Sequence, residues 1–452
     1  MPGVESLRRA VLPYIVVFIA VSAWSPYLSL YYQSLGISLA LIGALMAFTS
    51  CVAILTAPIW GVVHDQYPRS LVLLPLAGLL AGLGGFGLFT VGASPLVVLF
   101  AAIYATGTSG LTPMMDVRVL EMAGADRSRY GRIRACGSAS FIVGAPLVGL
   151  LKDHQGPASI FWVIIPAIAI GGLLAATIPG RTRVVPAGSM FRAPGRVLRH
   201  GPIAVLLVGY LICFAAISAQ SVFFGPYLRS LGASNELVGW AASINALLEV
   251  PIMFFFPRLA RRVGVERLIL LGALIVAMRQ IANVTFTDPD ILIGCAILQG
   301  AGYALLVVGG VTFVSRHAPK GAAATAQGLL NGVAFSLAAI VGAGAGGQLA
   351  SLLAIRGMYA VSVAVGFVGV AAIAVAVLPY IGSREDEPSG SVAQAVNPGV
   401  DGVGDPLRSG GAEVETVDGV GRDEYAAGRR QRRVDVDHHD LVDVGQMDDG
   451  RV

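Results

Sequence analysis

Four ionisable residues, Asp116, Arg134, Glu249 and Arg279, lie inside stretches that are otherwise almost wholly apolar. A charge at the centre of a bilayer-spanning helix costs about 2.5–3.5 kcal/mol on insertion scales, so such residues face a polar cavity, pair with one another and mark a path for a solute or ion. The chemistry they offer is non-covalent. A guanidinium beside a carboxylate presents charge-assisted donors and acceptors together, and a carboxylate that changes partner can load and release a proton.

Membrane helices must position these groups. The chain is 55% hydrophobic and 13% charged, against about 25% charged in soluble domains. A span needs about twenty mostly apolar residues, and Gly, Pro and charge clusters divide the chain into twelve such stretches. They are 11–34, 39–63, 70–91, 95–122, 132–151 and 158–178, then 203–230, 236–257, 266–286, 290–316, 322–352 and 356–381. Arg8 and Arg9 precede a run that continues as a full span without a small-residue cleavage site, which reads as a first transmembrane helix rather than a removable signal. Cys51, Cys136, Cys213 and Cys295 are far apart in apolar segments and read as packing residues, neither disulfide nor metal ligands.

The two halves repeat. Tyr31, Ser34, Leu35, Gly36 and Gly43 recur without a gap as Tyr227, Ser230, Leu231, Gly232 and Gly239, and Asp65 then falls on Arg261. The fold class expected is an all-α membrane protein with twelve transmembrane helices in two six-helix pseudo-symmetric bundles, and such parallel repeats place the solute site at their interface near the midplane. The domains would be an N-terminal bundle at 1–180, a linker at 181–202, a C-terminal bundle at 203–382 and a disordered tail at 383–452. The tail turns to Gly, Asp, Arg and Val and cannot bury enough surface to fold. Its RRQRR run at 429–433 could touch anionic lipid, and the DVDHHD that follows could bind a metal weakly.

With the N-terminus inside, one set of loops collects most of the Arg residues that flank the spans, while the other collects only Lys152, Arg229 and Arg356. That bias places both termini in the cytoplasm of a cell bounded by this membrane.

Hairpin arithmetic pairs the four charges. Asp116 and Arg134 stand nine residues either side of a loop centred near Ala125, so they share a depth. Glu249 and Arg279 flank the loop between helices eight and nine at roughly thirteen and seventeen residues from its centre, which suggests a second pair with Glu249 near the midplane. Arg118 and Glu121 sit nearer a helix end and read as snorkelling residues. Tyr27, Gln220, Asn245, Gln299, Gln327 and Asn331 are the polar residues that could complete a cavity. Asn245 and Glu249, four apart, share one helix face.

Other chemistries find little support. Neither lysine, Lys152 or Lys320, follows a Gly in a Walker-type motif, and GLGGFG at 82–87 lies inside a span rather than between a strand and a helix. Neither H-E-x-x-H nor G-x-S-x-G occurs. No enzyme activity, cofactor, metal or nucleic-acid partner is expected; a monomer handling a small solute, protons and lipid is.

Several stretches then look familiar. GVVHDQYPRS at 61–70 resembles the loop motif of the major facilitator superfamily, with LARRVG at 259–264 as its degenerate copy. The resemblance implies a gating charge network built on Gly61, Asp65 and Arg69. RYGRIRACGSASFIVGAPLVG at 129–149 is similar to the helix-five signature of lactose-permease-like and phenylpropionate-permease-like symporters, whose sugar-binding Arg and acidic residue would be Arg134 and Asp116 here. LLEVPIMFFFPRLARRVG at 247–264 and APKGAAATAQGLLNG at 318–332 resemble the phenylpropionate-permease group, with Glu249 at its acidic position and Arg279 at an Arg of helix nine. Gln299 stands where relatives carry a helix-ten His, and the neighbouring helix-ten Glu is missing too, which moves any proton coupling onto Glu249 or Asp116. The expectation is a secondary active transporter by alternating access: a proton-coupled symporter for a sugar, nucleoside or aromatic acid. Asp116, Arg134, Tyr27, Asn245 and Gln299 would bind the solute, and Glu249 with Arg279 would carry the proton. A proton-coupled efflux antiporter and a transporter-like sensor are the alternatives.

Overall fold

In hydrocarbon every backbone N–H and C=O must be satisfied within its own segment, and an apolar helix does so. The computed structural model of the chain is helical throughout the residues it describes, which are 5–67, 70–123, 128–179, 194–319 and 322–381. Arg69, the linker residues 181–193 and the tail 383–452 lie outside them. The helices of the first half are α1 (Glu5–Trp24), α2 (Leu28–Ser34), α3 (Leu39–Gln66), α4 (Leu73–Val91), α5 (Leu96–Ala123), α6 (Ser128–Gln155) and α7 (Ile160–Ala175). After the short α8 (Pro194–Leu198) come α9 (Gly201–Ser230), α10 (Asn235–Val263), α11 (Val265–Thr285), α12 (Pro289–Gly294), α13 (Ala296–His317), α14 (Ala323–Asn331) and α15 (Ala338–Val377).

Among the described residues 11 runs are long and apolar enough to cross a membrane. The last, Thr325–Tyr380, has 56 residues; at about 1.5 Å per residue it is far longer than a hydrocarbon core of about 30 Å. It is two helices meeting at Ala354, whose φ of 57° and ψ of 169° leave the helical region. Three spans expected to be continuous are interrupted. A turn at 25–27, where Pro26 sits, separates α1 from α2, Cys295 separates α12 from α13, and a π-helical stretch, Gly332–Leu337, joins α14 to α15.

The sequence repeat is a structural one. Gly36 and Gly232 both take positive φ, 77° and 91°, as helix-ending residues. Ser34 Oγ donates to the Tyr31 carbonyl at 2.7 Å and Ser230 Oγ to the Tyr227 carbonyl at 2.6 Å. Ser38 and Ser234 then cap α3 and α10. The two tyrosine hydroxyls each donate to a carbonyl of a neighbouring helix, Leu88 at 2.9 Å and Asn283 at 2.8 Å.

In the first half α1 packs on α6 and α7, α4 on α5 and α7, and α3 on α5. In the second, α9 packs on α15, α11 on α13 and α15, and α10 on α13. Between the halves α6 crosses α10 and α3 crosses α15. Both crossings are tight where the helices carry small residues: a Cβ on Gly43 would overlap the Ala343 carbonyl and the Gly347 backbone, and one on Gly239 would overlap the Ala145 carbonyl and the Tyr27 hydroxyl. These contacts lie at the end of the molecule that carries the Gly36 and Gly232 turns.

Polar groups reinforce the seam. Asp153, at the end of α6, accepts from the Asn235 and Glu236 backbone N–H groups at 3.1 and 3.0 Å and from Asn235 Nδ2 at 2.6 Å. A carboxylate from one half thus caps the first turn of a helix from the other, where unpaired N–H groups and the helix dipole favour an anion. Lys152 Nζ donates to Asn235 Oδ1 at 2.8 Å, and Ser243 Oγ to the Ile142 carbonyl at 2.7 Å. Lys152, expected in an outer loop, is therefore buried in the seam.

Replacing Asp153 by Ala should cost about 1–2 kcal/mol, the range for a lost helix cap, read as a lower melting temperature of the purified protein. A Gly43→Leu side chain must wedge the α3–α15 crossing and should cost about 1–3 kcal/mol by overpacking. Gly36→Ala, with nothing within 4 Å of the added methyl, should cost only the backbone penalty of positive φ, about 1–2 kcal/mol.

Candidate functional site

The α5–α6 hairpin brings Asp116 and Arg134 to one depth, and they meet. Arg134 Nη1 lies 3.0 and 2.9 Å from the two oxygens of Asp116. One nitrogen straddles the carboxylate, so the guanidinium does not use its whole fork on this partner. Tyr14 of α1 donates its hydroxyl to Asp116 Oδ1 at 2.5 Å, and Tyr130 lies in the field of both members of the pair. Phe18, one turn after Tyr14, places its ring 5.9 Å from the guanidinium carbon. The pair is enclosed by α1 and α6 but not sealed: the side chains keep 43% and 24% exposure for Arg134 and Asp116.

Glu249 of α10 lies within the field of this pair. The charge that acts on it is Arg134, and Tyr303 of α13 lies in the field of both. Beside Glu249 a cavity of about 190 Å³ runs between the halves, reached by Phe141, Gln220, Phe224, Asn245 and Gln299. Asn245 Oδ1 and Gln299 Oε1 are buried acceptors without a partner. Gln220 is held by Gln280, whose Nε2 donates to its Oε1 at 2.8 Å. Towards α10 and α13 the cavity therefore presents a carboxylate and two unoccupied amide oxygens, which suit a ligand rich in O–H or N–H donors. From α6 the cavity is reached by Phe141, and the charge of Arg134 on the same helix acts on Glu249 at the cavity wall.

Other expected site residues fall elsewhere. Tyr27 is wholly buried, and its hydroxyl donates to the Ala145 carbonyl at 2.7 Å and the Asn235 carbonyl at 3.1 Å. Gly149 and Gly239 leave the room for that hydroxyl, so Tyr27 belongs to the seam rather than to the cavity. The expected Glu249–Arg279 pair is not formed. Arg279 is fully buried on α11, where Nη1 donates to Asn283 Oδ1, Nη2 to the Leu292 carbonyl at 3.3 Å, and the guanidinium stacks 4.8 Å from the centre of the Phe224 ring. Counting residues from a loop sets approximate depth but not the face a side chain takes, and Arg279 turns behind Phe224. Gln327 is spent on Ser315 Oγ at 2.5 Å, and Asn331 is exposed.

Gly61 and Asp65 line a small cavity at the opposite end from the seam, together with Trp60, His64 and Met114. Arg69, their expected partner, lies outside the described residues. Arg118, expected to snorkel, is 1% exposed: it donates to the Ser70 carbonyl at 2.6 Å, the Ile178 carbonyl at 3.4 Å and His64 Nε2 at 3.5 Å. It ties the starts and ends of three helices together instead of reaching for water.

Tyr14, Phe18, Tyr130 and Gln280 complete the site and were not among the expected residues. Tyr130 was legible: it stands four residues before Arg134, on the same helix face. Tyr14 and Phe18 share that spacing on α1 and stack with centroids 6.1 Å apart. Nothing in the sequence tied that face to Asp116, 102 residues away.

Comparisons with known proteins match this architecture. A family profile described as the MFS_1 like family covers residues 8–360. The maltose permease of Geobacillus stearothermophilus is 31% identical over 338 residues, 74% of this chain and 85% of that protein. The putative nucleoside transporter YegT of Escherichia coli (strain K12) is 25% identical over 329 residues, 68% of this chain and 76% of the relative. The crystal structure of the nucleoside transporter NupG superposes with a TM-score of 0.73 at 15% identity, covering 82% of this chain and 99% of that one, and so shares the fold. Eleven long apolar runs among the described residues, a half-buried charged pair within them and a profile match over most of the chain agree: the protein is a multi-pass membrane protein that belongs to the MFS_1 like family of the major facilitator superfamily.

Proposed function

We propose that this chain is a secondary active transporter that carries a small hydroxyl-rich solute, of the sugar class, together with protons by alternating access. The observation that supports it best is the Arg134–Asp116 pair, whose guanidinium charge acts on Glu249 at the wall of the cavity. Two unoccupied amide acceptors beside Glu249 suit sugar hydroxyls, and relatives named maltose permease and sucrose permease favour that class over a nucleoside or an aromatic acid.

The reading takes the chain as twelve spans in two six-helix bundles, 1–180 and 203–382, joined by 181–202 and with both termini cytoplasmic. The bias of basic residues supports that orientation. On it, the seam closes the outer face and the Asp65 end opens inward, where Gly61, Asp65 and Arg69 bias the gate. Arg134, Asp116, Asn245 and Gln299 hold the solute. Glu249 carries the proton: protonated, it leaves Arg134 to Asp116 and the solute; ionised, it competes for the same guanidinium. A relative named putative sugar efflux transporter keeps the outward direction as the second reading.

Each site residue makes its own expected change. Charge-assisted hydrogen bonds contribute about 1.5–3 kcal/mol, so Arg134→Ala and Asp116→Asn should each weaken solute binding by about 10- to 100-fold, measured by calorimetry on purified protein with maltose as the first probe. Unchanged affinity in both variants would remove the pair from the site. Glu249→Gln should abolish accumulation driven by an imposed proton gradient in proteoliposomes while leaving solute exchange intact. Gradient-driven accumulation that survived this change would take the proton away from Glu249, and outward movement driven by the gradient would favour efflux.

A further inference from the structure

Arg279 is completely buried, and among the described residues no carboxylate pairs with it. Its two terminal nitrogens are used by Asn283 Oδ1 and the Leu292 carbonyl, but its Nε–H has no partner. Because Asn283 accepts from Arg279 through Oδ1, the group of Asn283 left unpartnered is its amide nitrogen, a donor. The hydroxyl of Tyr359, also fully buried and without a partner, lies in the field of the Arg279 charge. Arg279 and Asn283 are four apart on α11, on one face, and α15, which carries Tyr359, packs against that helix. Three unsatisfied groups that can donate thus gather around a buried cation that lacks a counter-charge. A buried unpaired charge is strongly unfavourable, and orphaned buried donors in a native fold call for an explanation.

We propose that Arg279, Asn283 and Tyr359 hold a small monovalent inorganic anion of the chloride kind, the counter-ion that the chain itself does not supply. A single spherical charge suits the place: it accepts from N–H and O–H groups in any direction and neutralises one guanidinium without excess. The site lies behind Phe224, whose ring stacks on Arg279 and lines the central cavity, so the anion would fix that wall of the cavity without touching the transported solute.

The test is melting of the purified full-length protein in sodium chloride and in sodium gluconate at equal ionic strength. Chloride should raise the melting temperature saturably, by about 4 °C or more near saturation, and gluconate should not. Asn283→Asp places a carboxylate beside Arg279 and should abolish the chloride response while keeping the protein stable in gluconate. Arg134→Ala, which strikes the solute pair, should keep the full response, so failure of the solute site and failure of this one are distinguishable. Equal melting of the unaltered protein in both salts would overturn the proposal, as would a full chloride response in the Asn283→Asp protein. Crystals soaked in bromide give an independent reading: an anomalous peak within hydrogen-bond distance of Arg279 Nε supports the site, and peaks only elsewhere refute it.

Discussion

The ion pair between Arg134 and Asp116 is the contact on which the rest of the interior depends. Neither charge could stay on its helix without a partner in a medium this poor in water, and satisfying both recruits three helices at once. Tyr14 from α1 donates to Asp116, Tyr130 from α6 lies in the field of both charges, and Phe18 sets its ring against the guanidinium. The arrangement is economical in one respect that matters for a binding site: a single nitrogen of Arg134 spans both carboxylate oxygens. The planar fork has five N–H donors, so the pair is neutral without being saturated on the Arg134 side.

The seam between the halves obeys a different physics. Small residues let backbones approach at the α3–α15 and α6–α10 crossings, which favours close packing. The hydrogen bonds added to it, Asp153 onto the start of α10 and Lys152 onto Asn235, lie at the helix ends, where water can replace them once the helices part. Buried apolar side chains of both halves, Tyr27, Ile42, Val238 and Ala241 among them, join one core there, so the polar contacts rim a packed joint. Tyr27 belongs to this joint. Its hydroxyl fills the space that Gly149 and Gly239 leave, so what looked like a polar residue awaiting a ligand is a polar residue awaiting the closed state.

How much of this was legible in the sequence depended on whether the signal was one-dimensional. An all-helical chain of long apolar spans, the repeat and the depth of Asp116 and Arg134 follow from hydropathy and helix rise along the chain, and those readings agree with the helices and with the pair. The repeat carried detail: Ser34 and Ser230, Gly36 and Gly232, end and turn their helices in the same way. Rotation about a helix axis is where such readings stop. Glu249 and Arg279 were matched by depth alone, yet Arg279 turns behind Phe224 and Glu249 lies in the field of Arg134. Arg118 looked like a snorkelling residue because it stands near a helix end, but carbonyls at Ser70 and Ile178 meet it inside the protein. The break expected between 352 and 356 does fall there, at Ala354, although helical hydrogen bonding runs on across it.

Glu249 lying in the field of Arg134 rather than beside Arg279 alters how the charges of the interior balance. Two carboxylates, Asp116 and Glu249, share the field of one guanidinium, while the second guanidinium has an amide, a carbonyl and an aromatic ring for company. With Glu249 protonated, Asp116 and Arg134 cancel and the cavity is neutral; with Glu249 ionised, the cavity carries one excess negative charge that Arg134 must divide between two partners. Low local dielectric enlarges the difference between those states. A neutral donor-rich solute lodged between Arg134 and the amide oxygens of Asn245 and Gln299 would meet a different competitor for the guanidinium in each state. On the proposed function, solute affinity and proton occupancy would be two readings of one equilibrium, without a titrating residue at position 299. Coupling of the proposed kind would then need no titrating group on α13, as long as the carboxylate on α10 and the guanidinium on α6 stay within each other's field.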